Sequence, residues 1–150
     1  MVQFAVYPSP FGPIIIGCEN NRIVSIRCGR STVVHCPCAV TDLANTQLQE
    51  YFEGKRKFFD LPIELRGTPF QIAVWNALLA IPCGEVRSYT QIAAAIGNPA
   101  ACRAVGQAAN RNPLWIVVPC HRVIGKNSGL TGYAGGLDMK QQLLELEKTS

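Results

Sequence analysis

Cys120 and His121 stand side by side in the segment Pro119-Cys120-His121-Arg122-Val123. A thiol attacks carbon only as its thiolate, and near neutral pH it is mostly protonated, so a nucleophilic cysteine needs a proton acceptor. The adjacent imidazole is one of two in the chain; the other, His35, lies in a weakly patterned N-terminal stretch. A carboxylate that orients the histidine would complete the arrangement of nucleophile, base and orienting group, and a water can bridge sulfur and ring. Neighbours on an extended strand point to opposite faces, whereas on a turn or a helix start they can converge. A cysteine placed after an apolar run is also an ordinary core residue, and position alone leaves both readings open.

The elements that would carry this pair follow from the surrounding pattern. Leu114-Trp-Ile-Val-Val118 is a short apolar run that reads as a buried strand delivering Pro119 and Cys120 at its end. Upstream, Thr68 caps a helix whose first position is Pro69 and whose capping box is closed by Gln71, with Phe70, Val74, Ala77 and Leu78 on one apolar face. Tyr89 to Gly97 reads as a short helix with Ile92, Ala95 and Ile96 inward, and Asn98-Pro99 as the cap and first turn of a second helix reaching about Asn110. Two short helices separated by a tight Gly-Asn-Pro turn have a helix-turn-helix signature. A glycine-rich loop from Gly125 to Gly136 leads into a final helix from Asp138, with Met139, Leu143 and Leu146 on one face.

The N-terminal part reads differently. Phe4–Tyr7, Ile14–Ile16 and Ile23–Ile26 are strand-like runs separated by turn residues, the start of an antiparallel meander. A helix is expected from Asp42 to Glu53, closed by Gly54, and Lys55 to Gly67 reads as a linker.

With 150 residues, 48% of them hydrophobic, the chain can bury a core as one domain or two small ones. No run of 18 apolar residues and no basic-then-apolar leader is present, which gives the expectation of a soluble, intracellular protein. The net charge is +4, but its distribution says more. Between Val86 and Leu137 lie Arg87, Arg103, Arg111, Arg122 and Lys126 and not one acid, a stretch suited to a polyanion.

Pro119-Cys120-His121-Arg122-Val123 resembles the active-site motif of the O6-alkylguanine-DNA alkyltransferases. The resemblance spans roughly residues 68–147 and takes in Gly84-Glu85-Val86-Arg87-Ser88-Tyr89, the helix-turn-helix, Arg103-Ala104-Val105-Gly106, Asn112-Pro113 and Tyr133-Ala134-Gly135-Gly136-Leu137. More weakly, Pro10-Phe11-Gly12-Pro13 is similar too. It implies an α/β N-terminal domain (residues 1–66) with a small antiparallel sheet and a helix, ribonuclease H-like, and a mainly α C-terminal domain (residues 67–150), winged-helix-like, holding the helix-turn-helix and Cys120.

The activity implied is DNA repair in a single turnover: the alkyl group on O6 of guanine, and by extension O4 of thymine, moves irreversibly to Cys120 without a cofactor or metal. The resemblance makes Cys120 the acceptor, His121 the base acting through a water, Glu147 the carboxylate that orients it, Asn112 the hinge before the active-site segment, and Tyr89 a hydroxyl donor to the leaving base. A paired base is out of reach in the stack, so the nucleotide must be flipped. Arg103 resembles the arginine that fills the space left behind, though it could equally contact phosphate. Ala101, Cys102, Ala104 and Gly106 beside it, with Arg111, suit close approach to the minor groove with little sequence reading. Pro119, Val123, Tyr133, Gly135 and Trp75 would line the pocket, and Lys140 would hold the loop or contact phosphate, with a solvated helix lysine the default expectation. The implied partner is double-stranded DNA bound by a monomer, in the cytoplasm at the nucleoid, or in the nucleus of a eukaryote.

Three rivals share parts of the pattern: a non-catalytic relative that binds damaged DNA, a Cys-His hydrolase, and a DNA-binding regulator with an incidental thiol. The first lacks the motif cysteine, which is present here; the second has no use for a helix-turn-helix. The remaining cysteines leave three states open. Cys18, Cys28, Cys36 and Cys38 with His35 could ligate zinc, could form a disulfide, or could be free thiols, the reading favoured here; Cys83 and Cys102 read as packing residues.

Overall fold

A computed structural model of the chain describes residues 1–125, 133 and 135–149. Lys126, Ala134 and most of the expected glycine-rich loop lie outside the described residues.

Strands β1 (Gln3–Tyr7), β2 (Ile14–Glu19) and β3 (Arg22–Cys28) form an antiparallel sheet in that order. Asn20 and Asn21, both at positive φ (53° and 61°), make the two-residue turn between β2 and β3, which asparagine tolerates well. The central strand is buried along five successive residues, and helix α1 (Ala39–Phe52) packs against it and β3. Thr41, Ala44, Gln47, Leu48 and Tyr51 form the buried stripe of α1, at helical spacing. The helix starts three residues before the expected Asp42, since Cys38 stands at its cap and Cys38 N donates to Thr41 Oγ1 at 2.9 Å.

The C-terminal part holds α2 (Pro69–Leu79), α3 (Tyr89–Ala95), α4 (Cys102–Asn110) and α5 (Leu137–Thr149). A small parallel pairing of β4 (Arg87–Ser88) with β5 (Val123–Ile124) adds a strand element beside the helix-turn-helix. The fold class is as expected: a small antiparallel sheet with a helix, then a mainly helical unit. Thr68 caps α2 with the reciprocal Gln71 bonds, at 3.0 and 3.1 Å.

Four local expectations are corrected. Val74, Trp75 and Leu78 are the fully buried face of α2, with Phe70 and Ala77 only partly covered. In α3 the buried pair is Ile92 and Ala93, and Ala95 faces solvent. Asn98–Ala101 is a closed turn, Ala101 N donating to Asn98 O at 3.0 Å, so α4 begins only at Cys102. The supposed linker is bound to β3, Ile23 N donating to Pro62 O at 2.7 Å and Glu64 N to Ile23 O at 2.9 Å.

The largest difference is at Leu114–Val118, which is buried as expected but is not a strand. Ile116 lies at φ +73°, a conformation β-branched residues rarely adopt, and Val118 N reaches back to Leu114 O at 2.9 Å. The segment folds upon itself while Leu114 pairs in parallel with Ile26 of β3. Hydrophobicity sets burial here, and tertiary packing overrides strand propensity.

Candidate active site

Beyond this turn, Cys120, His121 and Arg122 form a single 3-10 turn, so adjacent side chains are set about 120° apart instead of on opposite faces as on a strand. Asn112 is spanned by this hairpin of chain and uses both ends of its side-chain amide. Its Oδ1 accepts from Leu114 N at 2.8 Å; its Nδ2 donates to Val118 O at 2.8 Å and to Cys120 Sγ at 3.2 Å. Cys120 is 5% exposed. Burial pushes its thiol up to about 11, against the pull of the Asn112 hydrogen bond and the Lys140 charge, so the resting sulfur is protonated.

His121 is fully buried. Its Nε2 lies 2.6 Å from Glu147 Oε2, near the C-terminal end of α5. Arg122 grips the same carboxylate in a fork, Nε to Oε1 at 2.8 Å and Nη2 to Oε2 at 2.9 Å, and its Nη1 donates to Ile81 O at 2.7 Å. Tyr51 of α1 donates to Glu147 Oε2 at 2.5 Å. Burial would raise the Glu147 pKa, but the His121 and Arg122 hydrogen bonds and the Arg122 charge outweigh it and hold the group well below the usual carboxylate range. Burial lowers the His121 pKa, and Glu147 only partly opposes it. The imidazole is therefore neutral at pH 7. With Nε2–H given to Glu147, Nδ1 is left as an acceptor, and it is buried without a hydrogen-bond partner among the described residues.

Tyr133 closes the other side, its ring 6.5 Å from that of His121 and 6.2 Å from that of Trp115. Its pKa is raised by burial first and by the Cys120 charge next. Gly135 is required beside it: an added Cβ would lie 2.5 Å from Met139 Sδ and 2.9 Å from the Tyr133 ring. Pro119 and Val123 are buried on either side of the 3-10 turn.

Outside the cluster, a groove of about 470 Å³ runs along α4 and is lined by Tyr89, Cys102, Arg103, Gly106, Gln107 and Asn110, with Gly125 at one end. Arg103 and Arg111 are exposed, and Ala101, Cys102, Ala104 and Gly106 are partly covered. The Tyr89 ring lies over Gly106, where an added Cβ would meet it at an ordinary contact distance of 3.6 Å.

Two family models cover almost the whole chain. The 6-O-methylguanine DNA methyltransferase ribonuclease-like domain matches residues 2–65, and the DNA binding domain of the same name matches residues 69–149. The chain belongs to the 6-O-methylguanine DNA methyltransferase family. It is 48% identical to the constitutive methylated-DNA–protein-cysteine methyltransferase of Bacillus subtilis, over all of this chain and 98% of that one. The Methanosarcina acetivorans protein of that name is also 48% identical, over 97% of this chain and 98% of its own. Among solved structures, the Mycobacterium tuberculosis O6-methylguanine methyltransferase superposes with a TM-score of 0.91 at 44% identity, covering 99% of this chain and 94% of that one. A crystal structure of the Mycobacterium tuberculosis protein in complex with DNA gives 0.91 at 45% identity, over 98% and 93%.

Within this methyltransferase chain the sequence-derived site falls into two groups. Cys120, His121, Glu147, Asn112, Tyr133, Pro119, Val123 and Gly135 gather in one buried cluster, while Tyr89, Arg103 and the small residues lie along the α4 groove. Trp75 belongs to neither: it is buried in the core and donates from Nε1 to Ala108 O at 2.9 Å, which ties α2 to α4. Lys140, expected to be solvated, is fully buried, with its pKa lowered by that burial against the Cys120 charge. Cys18 and Cys38 lie with their sulfurs 3.8 Å apart. Sequence reasoning did not find Tyr51, 96 residues from Glu147, and gave Arg122 no role in the site. Arg122 was within reach as part of the motif; Tyr51 carries no local signal.

Proposed function

We propose that this chain repairs alkylated DNA by taking the alkyl group from O6 of guanine, and from O4 of thymine, onto Cys120, once per molecule. The observation that carries the reading is the pair of hydrogen-bonded sets Asn112–Cys120 and His121–Glu147–Arg122, carried on adjacent residues and closed off from solvent within a chain of this family.

His121 Nδ1 takes the Cys120 proton through a bridging water, and Glu147 stabilises the imidazolium that results. Asn112 Nδ2 and the Lys140 charge favour the thiolate so formed. The sulfur displaces the alkyl carbon in line: the carbon–oxygen bond breaks, a carbon–sulfur bond forms, and the electron pair leaves on O6. A Tyr89 hydroxyl donated to the departing base neutralises it. The product is a thioether without a leaving group, so the thiol is not restored and no cofactor enters the balance.

Because the sulfur is buried, the target nucleotide is flipped out of the duplex, at a cost of a few kcal/mol that a badly pairing damaged base reduces. Arg103 occupies the vacated position in the stack. Ala101, Cys102, Ala104 and Gly106 let α4 lie close along the minor groove with little sequence reading, and Arg111 contacts phosphate. The protein acts as a monomer on double-stranded DNA at the nucleoid. Among the described residues no helix is long and apolar enough to cross a membrane.

The test is the intact mass after incubation with an O6-methylguanine duplex. A single gain of about 14 Da, absent in Cys120→Ala, supports the reading. DNA binding without a mass change replaces it with non-catalytic damage recognition.

A further inference from the structure

Tyr51 lies in α1 of the N-terminal unit, yet its phenol is spent on the C-terminal unit. It is 1% exposed, its ring packs against Phe52 and Phe59, and its hydroxyl donates to Glu147 Oε2. The same oxygen faces His121 Nε2 at 2.6 Å and Arg122 Nη2 at 2.9 Å, while Oε1 accepts from Arg122 Nε at 2.8 Å. Three donors therefore converge on the one oxygen that orients the imidazole. A carboxylate oxygen that accepts more hydrogen bonds is a weaker base, so it holds an imidazolium less firmly.

We propose that Tyr51 is a positioning residue for the site: by donating to Glu147 Oε2 it fixes that oxygen in place and tempers its pull on the His121 imidazole. The inference rests on the reading of His121 as the base. The groups facing the pair come from every packed element: Tyr51 from α1, Arg122 and Cys120 from the 3-10 turn, Lys140 from α5, Tyr133 beside the ring, and Cys83 near the carboxylate. Of the neutral groups among these, Tyr51 alone donates a hydrogen bond to Glu147 among the described residues.

The assignment also gives the N-terminal unit a part in the chemistry. The other hydrogen-bond partners of Glu147 among the described residues, His121 and Arg122, both belong to the C-terminal unit.

Tyr51→Phe removes the hydroxyl and keeps the ring. Nitrogen-15 NMR of the DNA-free protein reads the two histidines separately, His35 serving as an internal reference. At pH 7 the His121 Nε2 proton is expected to move downfield in the variant, as its bond to Glu147 strengthens. In the pH profile of single-turnover alkyl transfer, the acid-side midpoint is expected to rise by about one unit. An unmoved or upfield Nε2 proton, or a midpoint that stays or falls, overturns the assignment; a purely structural tyrosine would lower the active fraction and leave both readings in place. Tyr51→Met, which also lacks the donor, repeats the reading if the phenylalanine variant does not fold. Failure of transfer in the wild-type protein would instead overturn the function proposed above, and the NMR reading does not depend on it.

Discussion

Asn112 and Glu147 hold the site from opposite sides, and each is spent on several partners at once. Asn112→Ala would strand Val118 O and Leu114 N, both buried, and is expected to cost about 2–3 kcal/mol in urea unfolding while also slowing Cys120 alkylation. Glu147→Gln leaves the Arg122 cation in the interior without its counter-charge. A loss of about 3–5 kcal/mol is expected, well beyond that of an exposed carboxylate such as Glu85. An equal effect at the two positions would show that the buried fork adds nothing to stability. At this scale a cysteine beside a histidine could be read from the residues themselves, whereas Asn112 and Glu147 entered only through the family resemblance. Lys140 was misread because its helix position looks solvated, and only the packing of α5 shows that it points inward.

Elements carry the second layer. Thr68→Ala removes a cap whose two reciprocal bonds start α2 and should cost about 1 kcal/mol, measured as a lowered unfolding midpoint with unchanged denaturant slope. On α4 the exposed Arg103 separates two modes of binding. If it fills the stack, Arg103→Ala slows transfer strongly and leaves the salt dependence of DNA affinity nearly intact. A phosphate contact would instead lower the slope of log affinity against log salt by about one. Caps, the asparagine turn and the α2 start could be read from local rules, because the interactions span only a few residues. The turn at Ile116 could not: Leu114–Val118 has the composition of a strand, and its bend is imposed by Asn112 and by β3, from 88 positions away at Ile26.

For the whole molecule, acid is the sensitive direction. The folded-state pKa values of His121 and Glu147 both lie below their ordinary values, so the unfolded chain binds more protons than the native one as pH falls. Stability should decline below about pH 6.5 as His121 comes into play and more steeply below about 4.3 as the carboxylate joins it. Urea midpoints that stay level from pH 7 to 4 would contradict this. Alkylation acts on the same core, since a methyl added to a sulfur that is 5% exposed must be accommodated by its neighbours. A cost of about 1–3 kcal/mol is expected, seen as a drop in Tm of about 2–4 °C for each kcal/mol. The sheet shows where such loosening would be felt. Both of its outer strands are occupied: β1 by Cys36 N on Phe4 O and by His35 Nδ1 on Val6 N, β3 by Pro62 and Glu64 at one end and by Pro113 and Trp115 at the other. The last two belong to the segment that holds Cys120. When that segment is disturbed by the transferred group, Ile26 loses its partners and β3 presents bare amides and carbonyls to whatever strand comes near. The spent protein thereby acquires an adhesive edge, so aggregation and proteolytic cutting should begin at β3 in the alkylated form and spare the unreacted one.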